Sequence, residues 1–327
     1  MPATLVSIGI PVYNVEKFIA RCAKSIFEQT YKDLEIVFVS DCSPDRSIEI
    51  IKDTLLNYPD RQNQVKIIQH EKNEGVSVTR NTAIEHFTGE FVSFVDADDY
   101  LLPNAIELLV AKQRENNADI VSGVVRRTDG ESEQDFSVQD SSTADKMLLN
   151  LINMRINPSV YSRVYRSSII KDNNIRFVSG LRIGEDWHFL TNYVRYAQSV
   201  SAIKDIVYIY NYSNPSSALH TESDETIYNQ WCFKAVPLLL DIKKQKNTKS
   251  FDVAIDDSIA KRIDKGFRMN SKNHNKRAFK DLVQFNNSLD YKPVNKVLFR
   301  YLRFGNKPNY YLYVIYNICV SFLRRIL

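Results

Sequence analysis

Strand-like apolar runs alternate with helical patterns over the first hundred residues, and this alternation constrains the fold more than any other feature. The runs are Leu5–Ile10, Leu34–Val39, Val65–Gln69 and Phe91–Val95. Helical signals follow them: four-residue spacing (Phe18, Cys22, Ile26), a serine cap with proline at the first helical position (Ser43, Pro44), a helical segment (Val78–His86) and a further proline (Pro103). Strands that alternate with helices predict an α/β fold with a mostly parallel sheet.

The fourth run stops abruptly at three carboxylates, Asp96, Asp98 and Asp99. Adjacent carboxylates repel each other and lose solvation unless a cation joins them. Asp-x-Asp places two oxygen donors on one side of an extended chain, and Mg²⁺ or Mn²⁺ binds such oxygens together with phosphate oxygens. Ligands of parallel sheets bind beyond the carboxyl ends of the strands, so a metal-bound diphosphate is the first hypothesis. The alternative is a solvated acidic turn before the next helix.

Five sequence blocks resemble those of glycosyltransferase family 2, in the order and spacing of that family. The blocks are Ile10–Lys17, Ser25–Tyr31, Val39–Asp45, Gly75–Asn81 and Phe94–Asp99, with looser continuations at Tyr165–Arg166, Ile175–Phe177 and Gly184–Phe189. The resemblance fades after about Tyr212. It implies an inverting sugar transferase with the A-type, Rossmann-like nucleotide-diphospho-sugar transferase fold, in which helices cover both faces of the central sheet.

The resemblance also assigns residues to the nucleotide. Pro11 and Tyr13 match the wall around the base, and Asp41 matches the acid that hydrogen-bonds the uracil edge. The family usually has two consecutive acids and a glycine here, whereas residues 40–42 read Ser-Asp-Cys. This departure weakens the assignment of uridine. The alternative for Asp41, as for Asp45, is a turn or helix-cap residue.

Arg80 and the acidic cluster match the diphosphate and metal side of the family's site. Arg80 is expected to pair with the diphosphate or to orient an acid of the Asp-x-Asp; the alternative is a surface arginine on a helix. Asp96 is expected near the ribose or the metal, and Asp98 is the expected main ligand of Mn²⁺ or Mg²⁺. Asp99 is either a supporting acid behind them or the cap of the next helix.

Inversion at an anomeric carbon requires one base that deprotonates the acceptor hydroxyl. The segment 184–189 resembles the family's Glu-Asp block, in which the aspartate is the base, so Asp186 is the candidate base and Glu185 a candidate participant. Both acids are expected at the start of a helix that runs to about Tyr196. The helix dipole favours carboxylates there, so pure capping is the alternative.

Four neighbouring side chains are weaker candidates and are not assigned to catalysis. Trp187 is suited to stacking on a sugar but equally to the core, and His188 alone is a weak signal. Arg163 and Arg166 lie where family members often carry an acceptor-side segment. Either arginine could meet phosphate, and the alternative is a plain strand and turn.

Length and charge divide the chain. With 327 residues and 44% hydrophobic content, it can bury a large core. We predict a catalytic, nucleotide-sugar-binding domain at 1–215 and a basic, mainly helical region at 216–327. Residues 241–327 carry 19 Lys or Arg against 7 Asp and no Glu, a net charge of +12, so the first 240 residues carry −8 of the total +4. The basic part is suited to a polyanion.

An aromatic-rich apolar run at 310–323 is bracketed by Lys307 and by Arg324 and Arg325. It is shorter than the roughly 20 residues that cross a bilayer, and tyrosines with flanking cations suit a membrane interface. Segment 307–327 is therefore the candidate membrane-surface segment, and a helix packed on its own domain is the alternative. A recognised nucleic-acid-binding motif is absent from the sequence, so nucleic acid is not an expected partner.

The cysteines and the amino-terminal sequence are used to predict the cellular compartment of the protein. Cys22, Cys42, Cys232 and Cys319 are widely separated and lack metal-site spacing, which predicts reduced thiols. A basic-then-apolar signal segment does not precede the first strand. We predict a cytoplasmic protein, peripheral on the inner face of the cell membrane.

These observations together predict an inverting glycosyltransferase that moves a hexosyl group from a UDP-sugar to a hydroxyl of a growing, lipid-linked bacterial surface glycan. Two alternatives stay open. A sugar-phosphate nucleotidyltransferase would use similar carboxylates and a metal, and would release pyrophosphate. A non-catalytic, nucleotide-sugar-binding membrane scaffold would keep the fold but release no UDP. The donor hexose, the linkage and the oligomeric state are not encoded in any motif recognised in the sequence.

Overall fold

The structure, a computed structural model, describes residues 4–137, 143–181, 183–214, 225–272 and 275–288, and the backbone of 303–304 and 307–308. The chain divides into two compact units. The first comprises Met1–Gly180 with Glu185–His220, and the second comprises Leu181–Gly184 with Thr221–Leu327. The predicted boundary at 215/216 falls in a segment outside the described residues.

The described residues of the first unit form a nine-stranded sheet. Its strands are β1 (Val6–Val12), β2 (Leu34–Ser40), β3 (Val65–Gln69), β4 (Phe91–Phe94), β5 (Tyr100–Leu101), β6 (Ile120–Thr128), β7 (Glu133–Ser137), β8 (Arg163–Arg166) and β9 (Val200–Asn211). The spatial order is β3-β2-β1-β4-β8-β6-β9-β5, and β7 pairs with β6. The helices of this unit are α1 (Ile19–Phe27), α2 (Ser47–Leu55), α3 (Val76–His86), α4 (Ala105–Asn116), α5 (Ala144–Ile152), α6 (Ser167–Asp172) and α7 (Glu185–Val194).

The direction of the strands determines which chain segments meet at one edge of the sheet. β1, β2, β3 and β4 are mutually parallel, as the alternation of strands and helices predicted. β8 runs antiparallel between β4 and β6, and β9 runs parallel to β6. The carboxyl ends of β1, β2, β4 and β9 therefore share an edge with the amino end of β8. The predicted α/β fold class is confirmed, and its second half is a mixed sheet.

Helices cover both faces of this sheet. Ile8 of β1 belongs to the same buried core as Ile26 of α1. The next residue, Gly9, faces the other side: a Cβ at this position would lie 2.7 Å from Cζ of Phe87 and 3.1 Å from Cβ of Ala83. Because successive residues of a strand point to opposite faces, α1 and the chain around α3 lie on opposite sides of β1.

Most predicted elements lie within two residues of their predicted bounds, and one cap is wrong. α2 begins at Ser47, not at Pro44. Ser43 does not cap it, because its hydroxyl accepts the N–H of Asn14 (2.8 Å) and donates to Asp45 (2.6 Å). The Asp45 carboxylate in turn accepts the N–H of Ser47 at 3.2 Å, so the aspartate takes the place expected for the serine.

The second unit is mainly helical, with α8 (Glu225–Lys246), α9 (Lys249–Lys272) and α10 (Lys276–Asn287), followed by the short pair β10 (Arg303–Phe304) and β11 (Lys307–Pro308). Its described core includes Trp231, Ile259 and Phe267. Among the described helices, none is both long enough and apolar enough to span a bilayer. The apolar run 310–323 lies outside the described residues, so its membrane role stays a prediction.

Candidate active site

The first unit brings three acids and one arginine together beyond the carboxyl end of β4. Arg80 projects from the second turn of α3, Asp96 follows β4, and Glu185 and Asp186 begin α7. Arg80 Nη2 donates to Asp96 Oδ1 at 2.8 Å, and Arg80 Nη1 donates to Asp186 Oδ1 at 2.8 Å. Glu185 Oε1 lies 3.7 Å from Arg80 Nη1. One guanidinium therefore joins the predicted base to the Asp-x-Asp segment.

Burial sets the charge states in this cluster. The Arg80 side chain is 4% exposed, and those of Glu185 and Asp186 are 17% and 20% exposed. Burial by itself lowers the pKa of Arg80, but Asp186, Asp96 and Glu185 outweigh it, so the pKa is raised and the arginine stays charged. Burial raises the pKa of Asp186 against the opposing charge of Arg80. Burial and the charge of Asp186 raise the pKa of Glu185 to about 7. The cluster thus holds carboxylates that are costly to ionise.

Asp99 has a different role from a helix cap. It is fully buried, its Oδ2 accepts the hydroxyl of Tyr208 at 2.6 Å, and its Oδ1 accepts the N–H of Asn211 at 2.7 Å. Tyr208 Oη also accepts the N–H of Asp96 at 3.1 Å. The alternative in which Asp99 caps α4 is wrong, because its carboxylate faces β9 and the residue that precedes α4 is Asn104. Asp99 fastens the acidic segment to that strand.

Asp98 lies between Asp96 and Asp99, half-buried, with its Oδ2 accepting from Nδ2 of Asn214 at 2.8 Å. Burial and the charge of Asp96 raise the pKa of Asp98. Within the described ranges, no group of three His, Cys, Asp or Glu side chains is arranged to hold a metal ion. A cation here would be bound by Asp98 and Asp96 and by oxygens of a ligand. Mg²⁺ commonly binds proteins in this way, and the uncompensated acidic charge fits such a guest.

Asp41 follows β2 and is hydrogen-bonded entirely by the protein around it. Its Oδ1 accepts the N–H of Glu74 at 2.9 Å and lies 3.0 Å from Nδ1 of His70, and its Oδ2 accepts the N–H of Gly75 at 2.7 Å. His70 Nε2 is 2.9 Å from Oγ1 of Thr82 in α3. Asp41 therefore organises the loop between β3 and α3. Direct contact of Asp41 with a nucleotide base stays a prediction.

The remaining predicted residues divide into exposed and buried positions. Tyr13 is 48% exposed directly after β1 and Pro11 is partly exposed, so both are accessible from solvent at the site edge. Trp187 belongs to the core, where its Nε1 donates to the carbonyl of Leu151 at 2.8 Å. Asp45 accepts three hydrogen bonds from protein donors near the start of α2. Trp187 thus packs in the core, and Asp45 stabilises the turn before α2.

Arg163 and Arg166 form the two ends of β8, which confirms the strand alternative for this segment. Arg163 is fully buried, and Arg166 bonds Asp119 Oδ1 at 2.9 Å. The hypothesis that either arginine meets a phosphate has no support from these contacts, because each guanidinium is engaged by protein acceptors.

Sequence reasoning missed three features of the site. It placed Arg80 near the acidic segment but did not predict its bond to Asp186, 106 residues away. It did not find Tyr208 or Asn214, which hold Asp99 and Asp98 from the end of β9. Asn211 at the end of β9 and Asn214 shortly after it repeat the signal that identified Asp41 and Asp96, polar residues where a strand ends.

Comparison with known protein families identifies the family of this chain. The sequence profile of glycosyl transferase family 2 matches residues 7–172, which is half of the chain. The chain belongs to this family. The matched region contains Arg80, Asp96 and Asp98 and ends before Glu185 and Asp186.

Relatives carry glycosyltransferase names. The chain is 34% identical over 223 residues to the uncharacterized glycosyltransferase EpsJ of Bacillus subtilis, covering 65% of this chain and 62% of EpsJ. It is 31% identical over 245 residues to the uncharacterized glycosyltransferase YibD of Escherichia coli, covering 72% of this chain and 70% of YibD. The chain thus spans less than two thirds of the length of EpsJ.

The fold is similar to that of TarS from Staphylococcus aureus, named a poly(ribitol-phosphate) beta-N-acetylglucosaminyltransferase. TarS residues 1–349, crystallised with UDP-GlcNAc, superpose with a TM-score of 0.68 and 22% identity, covering 85% of this chain and 79% of that one. In sequence, TarS is 29% identical over 207 residues, 62% of this chain and 35% of TarS. The likeness supports the A-type fold predicted from the sequence blocks.

Proposed function

We propose that the protein is an inverting hexosyltransferase that uses a UDP-sugar donor and a hydroxyl acceptor. The observation that carries the proposal is the placement of Asp186. Its carboxylate is held by Arg80 Nη1 at 2.8 Å and by the N–H of Val160 at 3.2 Å, and the same arginine bonds Asp96 next to Asp98. A single fixed carboxylate beside a second acidic pair is the arrangement that direct displacement at an anomeric carbon needs.

The proposed reaction is one displacement. The acceptor oxygen forms a bond to the anomeric carbon, the bond from that carbon to the diphosphate oxygen breaks, and the acceptor proton passes to a carboxylate oxygen of Asp186. The nucleoside diphosphate leaves with the electron pair. The raised pKa of Asp186 strengthens it as a proton acceptor near neutral pH, while Arg80 keeps it ionised and oriented. Glu185 supports the cluster as a neighbouring acid.

The donor side is proposed at the ends of β1 and β2. Pro11 and Tyr13 are proposed to flank the base, and Asp41 is proposed to shape the base pocket through the loop at 70–75. A uridine nucleotide is supported by the TarS fragment crystallised with UDP-GlcNAc and by the sequence similarity of TarS. The Ser-Asp-Cys sequence at 40–42 makes base selectivity worth measuring directly.

Asp98 and Asp96 are proposed to hold Mn²⁺ or Mg²⁺ together with the donor diphosphate. When bound, the cation would neutralise charge on the departing diphosphate. Arg80 is proposed to keep Asp96 in place, and Asn214 to orient Asp98.

The acceptor is proposed to be a hydroxyl of a lipid-linked surface glycan, made at the inner face of the cell membrane. Support comes from the basic charge of 241–327 and from a relative that acts on poly(ribitol phosphate). We propose that 1–215 is catalytic and that 216–327 includes the membrane-surface segment 307–327. Deletion of 307–327 is expected to release the protein from anionic vesicles in flotation while sparing transfer to a short soluble acceptor. Equal flotation of both proteins contradicts this role.

The direct test measures UDP release from a panel of UDP-sugars, with and without Mn²⁺ and with lipid-linked glycans as acceptors. Asp186→Asn is expected to retain UDP binding and to lose about 10²–10⁴-fold in turnover, the usual effect of a missing general base. Asp205→Asn, which changes an exposed aspartate on β9, is the matched control and is expected to keep full turnover. Failure of the wild type to release UDP with any donor, despite nucleotide binding, favours the scaffold alternative. Pyrophosphate release from UTP and a sugar 1-phosphate favours the nucleotidyltransferase.

A further inference from the structure

Asp186 is held from two sides, and only one of them is the Arg80 guanidinium. The second is the loop at 157–162, which connects the region after α5 to β8. The N–H of Val160 donates to Asp186 Oδ2 at 3.2 Å, while Arg80 bonds Oδ1. A backbone donor can orient a carboxylate only if the loop itself is fixed, so the supports of this loop matter.

Arg163, the first residue of β8, is the main side-chain support of the loop. It is fully buried, which is rare for an arginine. Its Nη2 donates to the carbonyl of Asn157 at 3.2 Å, and its Nη1 approaches the carbonyl of Tyr161 at 3.4 Å. Its Nε donates to Oγ of Ser122 in β6 at 3.1 Å. One rigid guanidinium therefore ties both ends of the loop to the sheet.

Further contacts hold the middle and the end of the loop. The Tyr165 hydroxyl donates to the carbonyl of Val160 at 2.8 Å, on the residue whose N–H faces the base. Ser162 adopts φ 61°, and its hydroxyl and carbonyl both bond Gly123. A non-glycine residue in the left-handed region persists only where its surroundings determine it. These contacts fix the conformation of the loop next to Asp186.

We infer that Arg163 is a positioning residue for transfer: it fixes the 157–162 loop so that the Val160 N–H meets Asp186, and its buried charge helps to keep that carboxylate ionised. The inference rests on the proposed role of Asp186 as the base. Arg163 touches no reacting atom and acts through the loop.

The charges around Asp186 support this assignment. Burial raises the pKa of Asp186, and the charges of Arg80 and Arg163 act in the opposite direction. The titratable or charged groups that face Asp186 come from every neighbouring element: Arg80 of α3, Asp96 after β4, Glu185 of α7, Tyr161 of the loop, and Arg163 and Tyr165 of β8.

The test follows the carboxyl carbon of Asp186 by NMR in protein labelled with ¹³C-aspartate, the signal being assigned by its loss in Asp186→Asn. In Arg163→Met, the titration midpoint of Asp186 is expected to rise by about one pH unit, because an opposite charge and an ordered N–H donor are both lost. Arg166→Met is the matched control: it removes an arginine from the same strand whose partner is Asp119, and it is expected to leave the midpoint unchanged. An unchanged midpoint in folded Arg163→Met overturns the inference.

Turnover provides the second readout. Arg163→Met is expected to lower kcat by about 10–100-fold with little change in the KM for donor, because misplacement of the base affects the chemical step. If Arg163→Met does not fold, Arg163→Lys replaces it: the ammonium keeps the charge but cannot span three acceptors, so a smaller loss in kcat is expected. A kcat equal to wild type overturns the inference. A shifted midpoint in a protein whose wild type transfers no sugar retains the positioning role and rejects the proposed function.

Discussion

Two acidic regions lie at the same edge of the sheet and differ in how their charge is compensated. At the end of β2, Asp41 receives three hydrogen-bond contacts from the loop between β3 and α3, two of them from backbone N–H donors. Beyond β4, burial raises the pKa of Asp98, and it raises that of Asp186 as well. The protein itself satisfies the hydrogen bonds of Asp41, whereas the second region carries more negative charge than the buried Arg80 and Arg163 compensate.

This comparison separates acids that stabilise the folded state from acids whose negative charge is available for a ligand. A carboxylate that accepts neutral donors stabilises the folded state, and its removal leaves those donors unsatisfied. A carboxylate whose ionisation is penalised by burial destabilises the folded state until a cation or proton joins it. Substitution of Asp41 is therefore expected to lower stability more than turnover. Substitution of Asp98 is expected to lower turnover more than stability.

Asp98→Asn is expected to have the largest effect on turnover and none on folding. The amide retains an oxygen that can accept from Asn214 but loses the charge that would bind a cation, so metal-supported transfer should fall by more than about 10³-fold. The free energy of unfolding should be unchanged or higher, because a penalised buried charge is removed. Initial rates in saturating Mn²⁺ and urea denaturation measure the two quantities. Turnover near wild type in Mn²⁺ would remove Asp98 from the metal site.

Arg80→Met tests whether the acidic cluster depends on the arginine that bonds two of its acids. Breaking a buried ion pair from one side leaves Asp96 and Asp186 unpaired, and we expect a loss of about 3 kcal/mol in the free energy of unfolding. Adding Asp186→Asn to Arg80→Met should recover part of that loss, since one of the stranded charges disappears. Denaturation of both variants provides the comparison. An equal or larger loss in the double variant contradicts the role of Arg80 as the counterion.

Asp41→Asn is expected to cost about 2 kcal/mol of stability, because either orientation of the amide turns an NH₂ towards a backbone N–H of Glu74 or Gly75. The effect on kcat should be smaller than the effect on nucleotide binding. Isothermal titration with UDP and GDP, alongside denaturation, separates the two roles. Glu71→Gln, an exposed acid of the same loop, is the control. A variant with wild-type stability and lost UDP binding would favour direct base contact.

Glu185→Gln is expected to change the pH dependence of stability. The folded-state pKa of Glu185 is about 7, above its ordinary value of 4.5, so its contribution to stability is full at low pH and declines as pH rises through about 7. Relative to wild type, Glu185→Gln should gain about 2–3 kcal/mol between pH 5 and pH 8, most of it below pH 7. Thermal melts across that range measure the difference. A pH-independent difference would mean that Glu185 ionises normally in the folded protein.

Local sequence signals predicted the first half of the fold well. β1 to β4 and the helices between them have strong apolar periodicity and turn residues, and β1, β2 and β3 pair in chain order, with β4 on the other side of β1. The mixed half was not predicted, because β8 inserts between β4 and β6 and short strands such as Arg163–Arg166 have no pattern of their own. Tertiary contacts decide the direction of such strands.

The same limit applies to the site. The acids that follow the predicted strands were identified from the sequence, because the blocks that contain them resemble those of a known family. Pairings across more than a hundred residues, such as Arg80 with Asp186 or Asp99 with Tyr208, depend on the three-dimensional order of strands. The sequence left Asp99 open between a supporting acid and a helix cap, and only the placement of β9, which supplies two donors to its carboxylate, decides between them.

The clamp between Asp99 and Tyr208 has a consequence for transplanting this motif between proteins. The four residues that read as Asp-Ala-Asp-Asp take their shape from a strand whose tyrosine lies 109 positions later. Copying these four residues into another scaffold would leave behind the Tyr208 hydroxyl, which bonds both Asp96 and Asp99. The acidic segment after β4 and the strand β9 therefore have to be transferred together. A recombination point placed between residues 99 and 208 would separate them.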